Sequence, residues 1–199
     1  MIVTCAFREP YLSHNTKQLE TLKGVPVLSF RDCLPYGEGL VTENIVERFQ
    51  KSLYGFKPHA IQKAIDLGFK KVIWFDPSVY PLESVQTIYD QLDKHPMLVI
   101  KGDRHIKDMT AKWLLDEFKH YDINHIGGTI YAFNFNNQNT LDCFYNWRDL
   151  EISGYFGDQE EFMKGHWADE SCMALCMAIC GIEQVSLNFK YRNQKDGTL

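Results

Sequence analysis

An acidic residue, a proline and a hydroxyl close the run Lys71-Val72-Ile73-Trp74-Phe75-Asp76-Pro77-Ser78, and that abrupt change from apolar to polar is the first place where this chain could do chemistry. A short apolar run reads as a buried strand, and in open α/β sheets ligands bind outside the carboxyl ends of the strands. Asp76 and Ser78, two residues apart, point to the same side of an extended chain and could share a ribose, a sugar or a metal. The same spacing also suits a turn in which the Asp76 side chain bonds to backbone amides two residues on.

A second group, Gly165-His166-Trp167-Ala168-Asp169-Glu170-Ser171, directly precedes an apolar helix. Carboxylates in a first helical turn are favoured by the helix dipole by about 0.3–1 kcal/mol, which alone accounts for Asp169 and Glu170. Beside His166 as a ligand or proton carrier and Trp167 as a stacking surface, either carboxylate could also be a general base. Cys172, Cys176 and Cys180 recur every four residues in that helix and read as core packing, because three thiols over two turns span too far for one tetrahedral ion. Gly127-Gly128 either admits a substrate close to the backbone or makes a tight turn into the aromatic strand that follows.

The elements that must position these groups alternate between strand and helix. Ile2–Phe7 reads as a buried strand, His14–Leu22 as a helix closed by Gly24, and Val25–Phe30 as a second strand. Beyond the loop Pro35–Gly39, Ile45, Phe49 and Leu53 recur at helical spacing, and Pro58–Leu67 has the proline start and glycine stop of a helix. After the Asp76 strand, Pro81 opens a helix leading to the apolar run Met97–Ile100, and Asp108 caps a helix carrying Met109, Trp113, Leu114 and Phe118. Thr129–Phe135 is a strand, Asn139 caps the next helix, a helix runs from Asp169 to Cys180 and stops at Gly181, and Gln184–Leu187 is a last strand. This alternation predicts an α/β fold, a mostly parallel sheet covered by helices on both faces.

The 199 residues are 45% hydrophobic and 14% aromatic, which suits one globular domain, 1-199, needing neither disulfides nor a structural metal. The formal charge of −5 argues against a surface built throughout to neutralise phosphates, leaving only small basic groups such as Lys101 with Arg104 and Lys107 to line a local groove. Six cysteines without a CxxC pair read as reduced thiols. Met1 leads straight into an apolar strand rather than a basic leader, and no run approaches the roughly 18 apolar residues of a membrane span, so a cytoplasmic location is expected. There is no GxGxxG after the first strand, no GxxxxGK[ST] and no GxSxG, which counts against a Rossmann dehydrogenase, a P-loop kinase and a hydrolase with a serine elbow.

Taken in order, the strand Ile2–Phe7, Lys57-Pro58 through the helix to Asp76-Pro77-Ser78, the Gly127-Gly128-Thr129 strand and His166-Trp167-Ala168-Asp169-Glu170-Ser171 resemble the GT-A family of nucleotide-sugar-dependent glycosyltransferases. The resemblance implies a GT-A-like, Rossmann-like fold and transfer of a sugar from a nucleotide-diphosphate sugar to an acceptor hydroxyl. In that family an Asp-x-Asp motif after the central strand holds a divalent metal and the donor. Asp76 matches its first position and Ser78 replaces the second acid, which puts Mn or Mg chelation in doubt and turns attention to Arg8, Lys57, Lys101 and Arg104 as partners for the diphosphate. The resemblance further implies donor contacts at Thr4, Arg8, Lys57, Asp76, Ser78, Gly127 and Gly128. On the acceptor side it implies a catalytic base at Asp169, with Glu170 as the alternative, and acceptor contacts at Trp167 and Tyr155. If a divalent ion is used, Asp76 and His166 are its expected ligands. The wording around Asp76 and Asp169 is also similar to phage-encoded members, some of which modify hydroxymethylated cytosine in DNA, so the acceptor is either a polysaccharide sugar or a modified DNA base, and the location host cytoplasm if the chain is phage-encoded. A non-catalytic nucleotide-sugar or carbohydrate-binding module of the same fold is the competing expectation.

Overall fold

The computed structural model describes residues 1–36, 41–118, 121–158, 160, 162 and 164–194. Its centre is a five-stranded sheet of order β2-β1-β5-β8-β7, made of β1 (Ile2–Ala6), β2 (Val27–Arg31), β5 (Lys71–Phe75), β7 (Met97–His105) and β8 (Asn124–Asn134). β1 pairs in parallel with β2 and β5, whereas β8 runs antiparallel to both β5 and β7, so four strands share one direction and β8 is reversed. The helices are α1 (Tyr11–Thr21), α2 (Ile45–Lys51), α3 (Phe56–Asp66), α4 (Gln86–Leu92), α5 (Lys112–Glu117), α6 (Gln138–Ile152) and α7 (Ala168–Ile179). Two small pairs, β3 (Cys33–Tyr36) with β4 (Val41–Asn44) and β6 (Val79–Pro81) with β9 (Tyr191–Asn193), complete the described elements.

The strands are apolar on both faces because both faces are covered. Val72 and Trp74 of β5 join the core beneath α3, α6 and α7, while Ile73 and Phe75 join a second core beneath α4. Continuous apolar runs are what a doubly covered sheet demands. Cys172 and Cys176 are fully buried in the larger core, in keeping with the packing role expected of that stripe, and all six cysteines are free. No described helix is long and apolar enough to cross a membrane.

Several boundaries differ from expectation for local reasons. Gly127 and Gly128 lie inside β8 rather than in a turn before it. The α6 cap is Asn137, whose extended backbone lets its side chain accept the Thr140 amide at 3.2 Å, not Asn139. Asp108 does not cap α5, because residues 106–108 form a 3₁₀ turn capped at its start by His105, and α5 begins after Ala111 without a side-chain cap. Pro81 ends β6, and α4 starts only at Gln86. The expected strand Gln184–Leu187 reduces to a single parallel bridge between Val99 and Ser186. Within the expected loop Pro35–Gly39, Pro35 and Tyr36 belong to β3, and residues 37–39 lie outside the described residues.

Candidate active site

The carboxyl end of β5, the amino-terminal half of the reversed β8 and the first turns of α3 and α7 meet around one cleft of about 550 Å³. Each element brings a polar group for a sequence reason. β5 ends at Phe75, so Asp76 emerges where strand pairing stops, its amide donating to the Thr129 carbonyl at 2.9 Å. Trp74, two residues back on the same side, donates its indole N–H to Asp76 Oδ1 at 3.0 Å. On the far side Gln18, fully buried in α1, donates to the carbonyls of Asp76 and Val79 at 2.7 and 2.9 Å and fixes the turn between them.

Lys57 joins the two acidic groups. Its ammonium donates to Asp169 Oδ2 at 2.7 Å and to the Gly128 carbonyl at 2.9 Å, and lies 3.5 Å from Asp76 Oδ1. A cation in the first turn of a helix opposes the helix dipole, and burial also favours its neutral form. Asp169 and Asp76 overcome the burial, and the Lys57 pKa rises above its ordinary value. Rings of Tyr54, Trp74 and Tyr131 at 5.0, 5.7 and 5.7 Å add cation–π contacts.

Asp169 and Glu170 occupy the first turn of α7 but differ in their surroundings. Asp169 is 2% exposed and also accepts the Tyr131 hydroxyl at 3.2 Å. Burial pushes its carboxyl up to about 6, helped by Glu170 and Asp76 and opposed by Lys57. Glu170 faces the cleft more openly and accepts the Gly128 amide at 2.6 Å through Oε1. Gly128 permits this approach, since a Cβ there would meet Glu170 Cγ at 2.8 Å and Asp169 Oδ2 at 2.9 Å. The close approach weighed for these glycines is therefore occupied, on Gly128, by the protein's own carboxylates.

Of the residues expected at the site, Lys57, Asp76, Gly127, Gly128, Trp167, Asp169 and Glu170 line the cleft. Arg8 does not; it lines an adjoining hollow of about 40 Å³ beside Asp76, its guanidinium over the Phe7 and Phe49 rings. Thr4 and Ser78 are fully buried and absent from the cleft wall, Thr4 being engaged with Gln18 at 3.0 Å. Tyr155 also lies off the cleft, donating its hydroxyl to Glu117 at 2.7 Å. Neither Lys101 nor Arg104 borders it.

The expected metal ligands do not fit a divalent ion. His166 is fully buried away from the cleft wall, and its partners occupy both ring nitrogens: Nε2 donates to the Tyr155 carbonyl at 2.9 Å and Nδ1 accepts the Ala111 amide at 3.5 Å. Asp76 is held by Trp74 and Lys57, and no group of three or more His, Cys, Asp or Glu residues is arranged for a metal among the described residues. Sequence reasoning missed His125, as it did Tyr11, Tyr54, Tyr191 and Asn193, which also line the cleft. Stepping back by twos from Thr129 through Gly127 reaches His125, a signal hidden by starting the strand after the glycines.

No protein-family model and no curated protein sequence matches the chain. Among solved structures, the apo form of mouse xyloside xylosyltransferase 1 is similar with a TM-score of 0.50 and 7% identity, over 94% of this chain and 83% of that one. The chain has a GT-A-type fold. The galactosyltransferase LgtC with donor and acceptor sugar analogues has a TM-score of 0.48 and 12% identity, over 87% of this chain and 69% of that one. A glycosyltransferase involved in glycosylation of the major capsid of PBCV-1 has a TM-score of 0.43 and 14% identity, over 82% and 72%. The GT-A likeness describes the fold, and residue roles come from the cleft's own geometry.

Proposed function

We propose that the protein is a glycosyltransferase that moves a sugar from a nucleotide-diphosphate sugar to an acceptor hydroxyl. The observation that carries this reading is the convergence of Asp76, from the end of β5, and the Asp169-Glu170 pair, from the start of α7, on one cleft through Lys57. Asp76 faces the donor. Glycosyl transfer passes through an oxocarbenium-like state while a diphosphate departs, and needs a base near the acceptor, positive charge near the phosphates and shielding from water.

Within the acidic pair the base is Glu170. Asp169 is ion-paired and hydrogen-bonded in the wall, so its task is to hold Lys57, whereas Glu170 is the more open of the two. Arg8, exposed on the rim beside Asp76, is the cation suited to the departing diphosphate. The acceptor this cleft favours is a saccharide hydroxyl. Three carboxylates against one lysine repel a duplex that carries a charge every ~1.7 Å of its axis, so a phage-type hydroxymethylated base in DNA is the less favoured acceptor. Trp167, 39% exposed at the cleft, offers a flat apolar surface to a sugar ring.

The test is to incubate the protein with UDP-, GDP- and ADP-sugars, with and without manganese, and assay released nucleoside diphosphate, then add glycans or hydroxymethylcytosine DNA and look for product. Binding without release would favour the alternative of a non-catalytic sugar-nucleotide module. The neutralisation of Asp169 by Lys57 and the burial of Ser78 at the second acidic position are the observations on that side.

A further inference from the structure

His125, near the start of β8, is 7% exposed and borders the cleft beside Glu170. Its Nε2 lies 2.9 Å from Glu170 Oε2, off the angle of a formed hydrogen bond, and neither atom has a hydrogen-bond partner among the described residues. A buried imidazole nitrogen and a buried carboxylate oxygen left facing each other are costly unless a proton serves both.

The surroundings keep this pair from drifting apart. The Trp167 ring stands edge-on to the imidazole at 6.0 Å between centroids. Behind it, β7 passes so near that a Cβ on Gly102 would lie 2.7 Å from the His125 carbonyl oxygen. On the other side of the carboxylate, Oε1 is fixed by the Gly128 amide. Glu170 is thus fixed at Oε1 and faced by His125 at Oε2, although its flexible side chain would otherwise sample several rotamers at the cleft wall.

We propose that His125 is the positioning residue of Glu170, its Nε2–H holding the carboxylate towards the acceptor; this rests on the glycosyltransferase reading. In the step, the acceptor O–H bond breaks and its proton passes to Glu170. The oxygen's electron pair forms the bond to the anomeric carbon, and the bond from that carbon to the diphosphate breaks with its pair leaving on the nucleotide. Nε2–H faces Oε2 before and after the transfer, so it orients the carboxylate, and the proton taken from the acceptor stays on Glu170.

The experiment uses the full chain with UDP-glucose, UDP-galactose and GDP-mannose, water as the acceptor, and UDP or GDP release as the readout, with donor affinity measured separately by calorimetry. His125→Ala should lower kcat about 10-fold, part of the roughly 10²–10⁴ a general base supplies, and leave donor Kd within about twofold. His125→Gln, whose amide N–H can reach Oε2, should recover part of the loss, and in a Glu170→Gln background neither change should matter further. Undiminished kcat in His125→Ala, or an equal loss with and without Glu170, overturns the inference. Should His125→Ala fail to fold, His125→Gln in both backgrounds carries the same comparison. A wild-type chain that releases no nucleotide from any donor sinks the transferase reading and this one together, whereas wild-type turnover with undiminished His125 variants sinks this one alone.

Discussion

Two buried charge clusters grow from the same helix and differ in what they face. In α3, Lys57 turns to the cleft and binds Asp169 beside Asp76, while His59, two residues on, turns to α6 and lies 2.9 Å from Glu151 Oε2. Arg48 from α2 also pairs with Glu151, whose side chain is fully buried. Each cluster even sits under a glycine: a Cβ on Gly128 would meet Glu170, and one on Gly55 would collide with Glu151 Oε1. Burial and ion pairing are thus equal in kind. The Lys57 cluster lines this cleft and the Glu151 cluster does not, and that border separates a candidate site from a structural clasp tying α2 and α3 to α6.

The comparison is tested most severely by removing one partner from each cluster. Lys57→Met leaves two carboxylates buried without their cation, a change that costs roughly 3–5 kcal/mol, and it should also abolish nucleotide release. Glu151→Gln should cost stability of the same order, read by urea denaturation, yet leave kcat per folded molecule unchanged. If Glu151→Gln removed activity while the fold persisted, the division between site and clasp would collapse.

Acid should separate activity from folding. The Asp169 carboxyl rises from 3.8 to about 6 in the folded chain, chiefly through burial. The folded state therefore binds this proton more readily than the unfolded chain does, so the group's stabilising contribution is fully present below 3.8 and is lost as pH rises through about 6. Turnover runs the other way. Below about pH 6 Asp169 is neutral and loosens its hold on Lys57, so kcat should fall about tenfold per unit while the circular dichroism spectrum stays native. An acid limb near pH 4 would remove Asp169 from the explanation.

The two glycines offer a finer contrast. Gly128→Ala and Gly55→Ala each force a carboxylate aside, with overpacking losses of about 1–3 kcal/mol in stability. Only Gly128→Ala should also reduce kcat, because the carboxylates it displaces are Glu170 and its neighbour Asp169. Matching kinetics in the two variants would mean that the placement of Glu170 is unimportant.

Much of this arrangement was legible beforehand because it follows local rules. The apolar run into Asp76 marks the end of a buried strand, and the acidic pair before an apolar helix marks a helix start; both fall at the cleft. What escaped depends on contacts far apart in the chain. Lys57 resembled a phosphate ligand because spacing cannot reveal that Asp169, 112 residues later, accepts its hydrogen bond and ion-pairs with it. Tyr155 and His166 were expected as an acceptor contact and a metal ligand on the family resemblance, yet Tyr155 binds Glu117 and His166 is turned back on the Tyr155 carbonyl. Gly127-Gly128 resembled a turn because a strand pattern cannot show which side chain presses on a strand from above. His125 was hidden because the strand was expected to start only after those glycines.

The smallest effect distinguishes two exposed tryptophans. Trp167 is 39% exposed and lines the cleft; Trp113 is 41% exposed and packs on Tyr155 and His166 away from it. An aromatic contact of this kind contributes about 0.5–1.5 kcal/mol, so Trp167→Ala should raise the KM for a saccharide acceptor several-fold, with donor Kd unchanged. Trp113→Ala should change neither constant, although it removes a ring of the same size and similar exposure. The pair controls for the loss of apolar surface, and what remains is position: an acceptor KM that responds to both substitutions, or to Trp113 alone, would mean that the sugar does not lie against the wall formed by the start of α7.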